Sequence, residues 1–310
     1  MSADRFRLSC LRCFFFSLRS HRRVPIRMTG ASSFALTVLI AGGVGLAVLA
    51  TSRLSERTRI PLPALTLVAT AVAVHLAPHF HPVGQSTVSD VVTVALITVL
   101  FNGGMGIGRR RFRSAAQPIL VVGVIGTFGT AALAAVLVHL AFGFAWYPSL
   151  LVATAVAPTD PTVVFSVLGR REVAGRSGTI LEGESGANDP VGISLMAALL
   201  AAGGLTGPGT GHAASTFFLQ MAVGAAVGLA GGRALLWFMR HTALPDEGLY
   251  PIRTLAAALL LFGVAAEAHG SGFLAVFAAG IVIGDERAPY KREIERFHGA
   301  LASLGEIVAF

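Results

Sequence analysis

Charge is scarce in this chain. Of its 310 residues only 13% are charged, about half the roughly 25% of a soluble domain, while 54% are hydrophobic and the mean hydropathy is +0.72. That balance excludes an ordinary water-solvated domain. Cysteine is nearly absent as well: Cys10 and Cys13 form one CxxC near the N-terminus and no other cysteine follows. Without a second ligand pair or a βαβ context this spacing argues for neither metal nor redox chemistry, and no cofactor is expected. Two-residue alternation is missing from the apolar runs, which excludes a transmembrane barrel and leaves helices as the bilayer-crossing elements.

What the chain has is long apolar runs. A helix needs about 20 residues to cross the hydrocarbon core, and suitable runs lie near 32–52, 61–77, 88–108, 116–143, 146–168, 176–203, 213–240, 252–268 and 271–285. A tenth begins near His298 and stops at Phe310. The fold class is therefore an all-α polytopic membrane protein with nine full spans and the start of a tenth, and the chain reads as truncated.

Lys and Arg near span ends accumulate on the cytoplasmic side. After residue 30 there are 17 of them, and all fall in or around alternate connections, those after the first, third, fifth, seventh and ninth runs. The connections between, including HLAPHFHPVGQST and GGLTGPGTGH, contain none. The even-numbered connections should face out, in the plasma (inner) membrane. The first 27 residues conflict with this, since their seven Arg against one Asp resist translocation. Starting at Met28 removes the conflict and leaves the N-terminus outside, so residues 1–27 are expected to be a non-native extension and 28–310 the membrane domain. A signal peptide is the rival reading, but CFFFSL is short and no clean small-residue cleavage site follows it. The tail supplies most of the net charge of +8, so no nucleic-acid partner is implied; the partners expected are lipid, protons and small cations.

Against this apolar background the polar residues stand out. Pro158, Thr159, Asp160 and Pro161 sit roughly ten residues into the fifth run from Arg170, about 15 Å deep at 1.5 Å per residue. Asn188 and Asp189 lie at a similar depth from Arg176 in the sixth. The two prolines remove amide donors and should break the fifth helix at its centre, a break that survives in a membrane only where it lines a cavity or is covered by protein. Such broken helices mark midplane sites in secondary transporters. In the sixth run, Ser185 and Asp189 share one face with Glu182 a turn back, and Glu184 and Asn188 share the neighbouring stripe. A lone mid-span proline is usually a kink and a single buried Asn usually interhelical glue, but intramembrane carboxylates are costly and mark function. Glu182 stands near the interface, and Glu267 and Glu306 read as interfacial or vestibule residues. Asp160, Glu184 and Asp189 remain.

PTDP on a broken span followed by ESGAND on the next resembles the sodium/hydrogen exchanger superfamily, in particular its prokaryotic cation:proton antiporters with an Asn-Asp pair. FNGGMGIGRRRF at 101–112 is similar to that family's Phe-acid-Gly-Gly segment, with Asn102 standing where a carboxylate is common. The resemblance implies that Asp189 binds the cation and exchanges the proton, supported by Asn188. It further implies that Ser185, Thr159 and Asp160 offer cation oxygens, and that Glu184 holds Asn188 together with an arginine on a later span. It implies an inverted-repeat fold whose second broken helix has no proline counterpart within residues 204–310, and assembly as a homodimer. The function implied is exchange of sodium or potassium for protons, not enzymatic catalysis. Since only one acid of the pair titrates, one-for-one exchange is expected, with Glu184 a candidate second proton site. Two alternatives stand beside it. A truncated, non-transporting relative could act as an interaction protein. The G-x-S-G of Gly183–Gly186 also matches intramembrane serine proteases, with His269 as the only candidate base, at the outer edge by span register.

Overall fold

Membrane helices gain little by hiding apolar surface from one another, so they associate where small residues let backbones meet. The computed structural model describes residues 62–76, 84–160, 175–205 and 207–309, with scattered positions between 35 and 50. Residues 1–50 and 51–310 form two compact units; in the first, every described position is helical. The expected extension 1–27 and most of the first expected span lie outside the described residues.

In the second unit the described elements are all helical: α1 (Leu62–Leu76), α2 (Gln85–Leu120), a π-helical turn (Val121–Gly126), α3 (Thr127–Phe142), α4 (Trp146–Val156), α5 (Arg176–Ala202), α6 (Gly207–His241), α7 (Leu249–Glu267), α8 (Gly272–Gly284) and α9 (Lys291–Ala309). Among the described residues, Gln85–Phe142, Gly209–His241 and Leu249–Glu267 are long and apolar enough to cross a membrane, while Trp146–Val156 and Gly272–Gly284 are shorter apolar helices. The polar residues of α5 are what separate it from that group.

The run from Gln85 to Leu120 is two helices in one. Gly108 takes φ 68°, ψ 164° and Ala115 leaves helical geometry, so the third and fourth expected spans are separated here by the arginine-rich connection. Only glycine adopts that conformation without strain, and a Cβ there would collide with the Asp285 carboxylate. Asp285 in turn accepts from the backbone N–H of Arg110, satisfying a donor where the helix restarts. Two expected starts move outward: α6 begins at Gly207 rather than 213, and α9 at Lys291 rather than 298. Hydropathy locates the apolar stretch of a helix and overlooks polar turns that continue it.

α8 is the buried centre, packed against α2, α5, α6 and α7. Gly104 of α2 faces the α8 backbone so closely that a Cβ would strike the Phe277 carbonyl, and Gly280 meets α2 in the same way. Ile97, Phe101, Met105, Val276, Ile283 and Ile294 form the core around this contact. His298 of α9 is fully buried and hydrogen-bonded through Nε2 to Thr254 of α7 at 2.7 Å. It fixes α9 so that Ala302 and Glu306, one and two turns further along, reach the cavity described below.

Candidate cation site

α4 ends at Val156 and Ala157–Asp160 leaves the helix, as two prolines three residues apart require. The continuation from Pro161 lies outside the described residues. Pro158 lies against α5 at Gly192, where a Cβ would come 2.5 Å from its Cγ. This contact holds the following two residues beside the polar turn of α5.

Thr159 then closes a network with one stripe of α5. Its hydroxyl donates to Glu184, 3.0 Å from Oε1 and 3.3 Å from Oε2. The Asn188 amide donates to the same Oε1 at 2.7 Å and to Thr159 Oγ1 at 2.8 Å, with a longer 3.4 Å contact to the Thr159 carbonyl. Asn188 is 1% exposed, and among the described residues its Oδ1 has no partner. No arginine bonds Glu184 among the described residues.

The adjacent stripe faces a cavity of about 350 Å³. Glu182, Ser185, Gly186 and Asp189 of α5 line it together with Asp160. Val99, Leu100, Asn102, Gly103 and Gly106 of α2 form another wall, with Arg111, Phe277, Ala302 and Glu306 completing it. Asp160, Ser185 and Asp189 thus share one space, whereas Thr159, Glu184 and Asn188 are tied to one another behind it. The Thr159 hydroxyl is spent on the network, so its side chain does not line the space in which a cation would sit.

Arg111 was legible only as a topological cation, yet it lines this cavity. Its Nε donates to the Ile107 carbonyl at 3.0 Å and its Nη2 to that of Gly106, which caps the helix end broken at Gly108. Phe277 had no sequence signal either; its ring lies against Gly186, where a Cβ would collide with it. Among the described residues no histidine lines the cavity. His269 is exposed beyond the end of α7 and His298 is bonded to Thr254, so neither offers Ser185 an imidazole base.

The sodium/hydrogen exchanger transmembrane family model matches residues 44–309. The chain belongs to this family. It is a multi-pass membrane protein. The K(+)/H(+) antiporter NhaP of Alkalimonas amylolytica is 29% identical over 281 residues, covering 89% of this chain and 48% of that protein. The K(+)/H(+) antiporter NhaP2 of Shewanella oneidensis is 34% identical over 244 residues, 76% of this chain and 41% of that protein. The chain thus spans about half the length, or less, of the curated relatives it matches. The solved structure of the sodium proton antiporter MjNhaP1 from Methanocaldococcus jannaschii superposes with a TM-score of 0.68 at 20% identity, over 88% of this chain and 69% of that one. That likeness establishes the antiporter fold.

Proposed function

We propose that the protein exchanges a monovalent alkali cation, sodium or potassium, for a proton, one for one, with Asp189 as the exchanging group. The single observation that supports this most is the division of α5: Asp189 and Ser185 face the cavity with Asp160, while Glu184 and Asn188 are held away from it by Thr159. A bare carboxylate inside a membrane domain is costly, and either a proton or a cation relieves that cost. The two therefore compete for one group, and alternating access to a fixed site converts competition into exchange.

Ser185 Oγ and the Asp160 carboxylate supply further hard oxygens. The Thr159–Asn188–Glu184 network acts as the frame: Asn188 brings no titratable proton, so one carboxylate is neutralised per cycle and exchange is electroneutral, Glu184 being the candidate for a second proton. Relatives named for potassium and relatives named for sodium both match, so selectivity rests on the shape of this cavity. A homodimer in the plasma membrane completes the proposal.

The test uses inside-out vesicles from cells expressing the complete reading frame. After respiration acidifies the interior, sodium or potassium should collapse the gradient in wild type. Asp189→Asn cannot ionise and should abolish the response at every pH, whereas Asp189→Glu should retain exchange with weaker cation affinity. Wild-type rates in Asp189→Asn would overturn the assignment.

A further inference from the structure

α5 runs as one helix from Arg176 to Ala202 with Pro190 inside it. In an α-helix each amide N–H donates to the carbonyl four residues back. Proline has no such hydrogen, so the carbonyl of Gly186 loses its helical donor. Among the described residues no side chain or loop amide donates to it. Burial makes an unpaired carbonyl costly in an apolar helix, unless a polar partner is supplied.

The carbonyl that loses its usual helical donor belongs to a residue of the cavity wall. Gly186 and Asp189 both line the cavity, as does Ser185, and a helical carbonyl points along the axis toward the next turn, here the turn that carries Asp189. Glycine at 186 admits the Phe277 ring against the backbone, and that ring lines the same cavity. Carbonyl oxygens are effective ligands for alkali cations, because their dipoles replace hydration without adding charge. We propose that Pro190 serves cation binding by freeing the Gly186 carbonyl, which joins the Asp189 carboxylate and Ser185 Oγ as a ligand of the transported ion. The added ligand is neutral, so it strengthens cation binding without contributing a proton site.

This inference rests on the exchange proposed above, and its test separates the two. Pro190→Ala restores the amide, which should bond to the Gly186 carbonyl and withdraw it. In the same vesicles the KM for sodium or potassium should rise roughly threefold to tenfold, the worth of about one net polar contact. The rate at saturating cation and its pH profile should stay as in wild type, and the melting temperature should rise, since proline is a poor helix-interior residue. A structural role for the proline predicts the opposite stability change and no selective effect on KM. Pro190→Gly restores the same amide with low helix propensity and should raise KM as well. Replacing Pro190 by the α-hydroxy analogue of alanine keeps position 190 without a hydrogen to donate and should restore the wild-type KM. An unchanged KM in Pro190→Ala, or a raised KM in the hydroxy-acid variant, overturns the inference; absence of exchange in wild type would instead overturn the proposed function.

Discussion

Asn188 shows what a single buried amide can do in this site. Its Nδ2 joins Glu184 and Thr159, so removing it strips a hydrogen bond from a carboxylate and another from a hydroxyl. Asn188→Ala should lower stability by about 1–3 kcal/mol, the range for leaving such partners unsatisfied, read as a fall in the melting temperature of the purified protein. Thr159→Val, which keeps the volume and removes the hydroxyl, should act in the same direction, and because the two residues share one network their effects should be less than additive. An Asn188→Ala protein as stable as wild type would show that the network is incidental. The division of α5 into two stripes was readable from four-residue spacing alone. That Thr159 turns its hydroxyl to Glu184 was not readable, because it depends on how Pro158 seats against Gly192, a contact between elements. Arg111 was missed for a related reason: loop cations report topology, and nothing in their spacing tells which one folds back over a broken helix end.

At the scale of elements, the site is set by how closely α8 approaches α2 and α5. Hydropathy located these helices because the bilayer demands continuous apolar length; it could not foresee that α8 would be a 13-residue, nearly fully buried centre, since burial among helices and exposure to lipid favour the same residues. The break at Pro158 was legible because proline acts locally, and the end of the third run at residue 108 was legible from the arginines that follow it; the positive φ of Gly108 was not, because glycine requires one only in some contexts. The contact of Gly186 with Phe277 is a test of this close approach. Gly186→Ala places a methyl group where the ring lies and should cost about 1–3 kcal/mol, as overpacking in a tight core does. Adding Phe277→Leu removes the ring edge and should recover part of that loss. If the double variant is no more stable than the sum of the two single changes predicts, the ring is not what the methyl group meets. Either result is measured by thermal melting of the three variants beside wild type.

For the whole molecule the question is which ends of the helices share a side. The cation pattern assigns the connection after the third expected span, the end of the seventh and the segment after the ninth to one face. The structure joins these three places at one acid: Glu286 accepts from Arg240 Nη2 at 2.7 Å through Oε2 and pairs with Arg109 Nη2 at 3.4 Å through Oε1. Three connections distant in sequence meet there, as they must if the charge rule is obeyed. At the other end of α5 the Tyr147 hydroxyl donates to the Leu199 carbonyl at 3.0 Å, tying the start of α4 to the cation-free connection that begins at Gly203. A cysteine at Gly204 should therefore react with an impermeant thiol reagent added to intact cells, and one at Arg110 should react only after the membrane is opened. Replacing Cys10 and Cys13 by serine first removes the background, since no other cysteine is present. Because α5 carries Asp189 between these two faces, the labelling also fixes the direction in which each end of the cavity opens. Labelling at Arg110 from outside would invert the orientation, and with it every assignment of proton uptake and release to a side of the membrane.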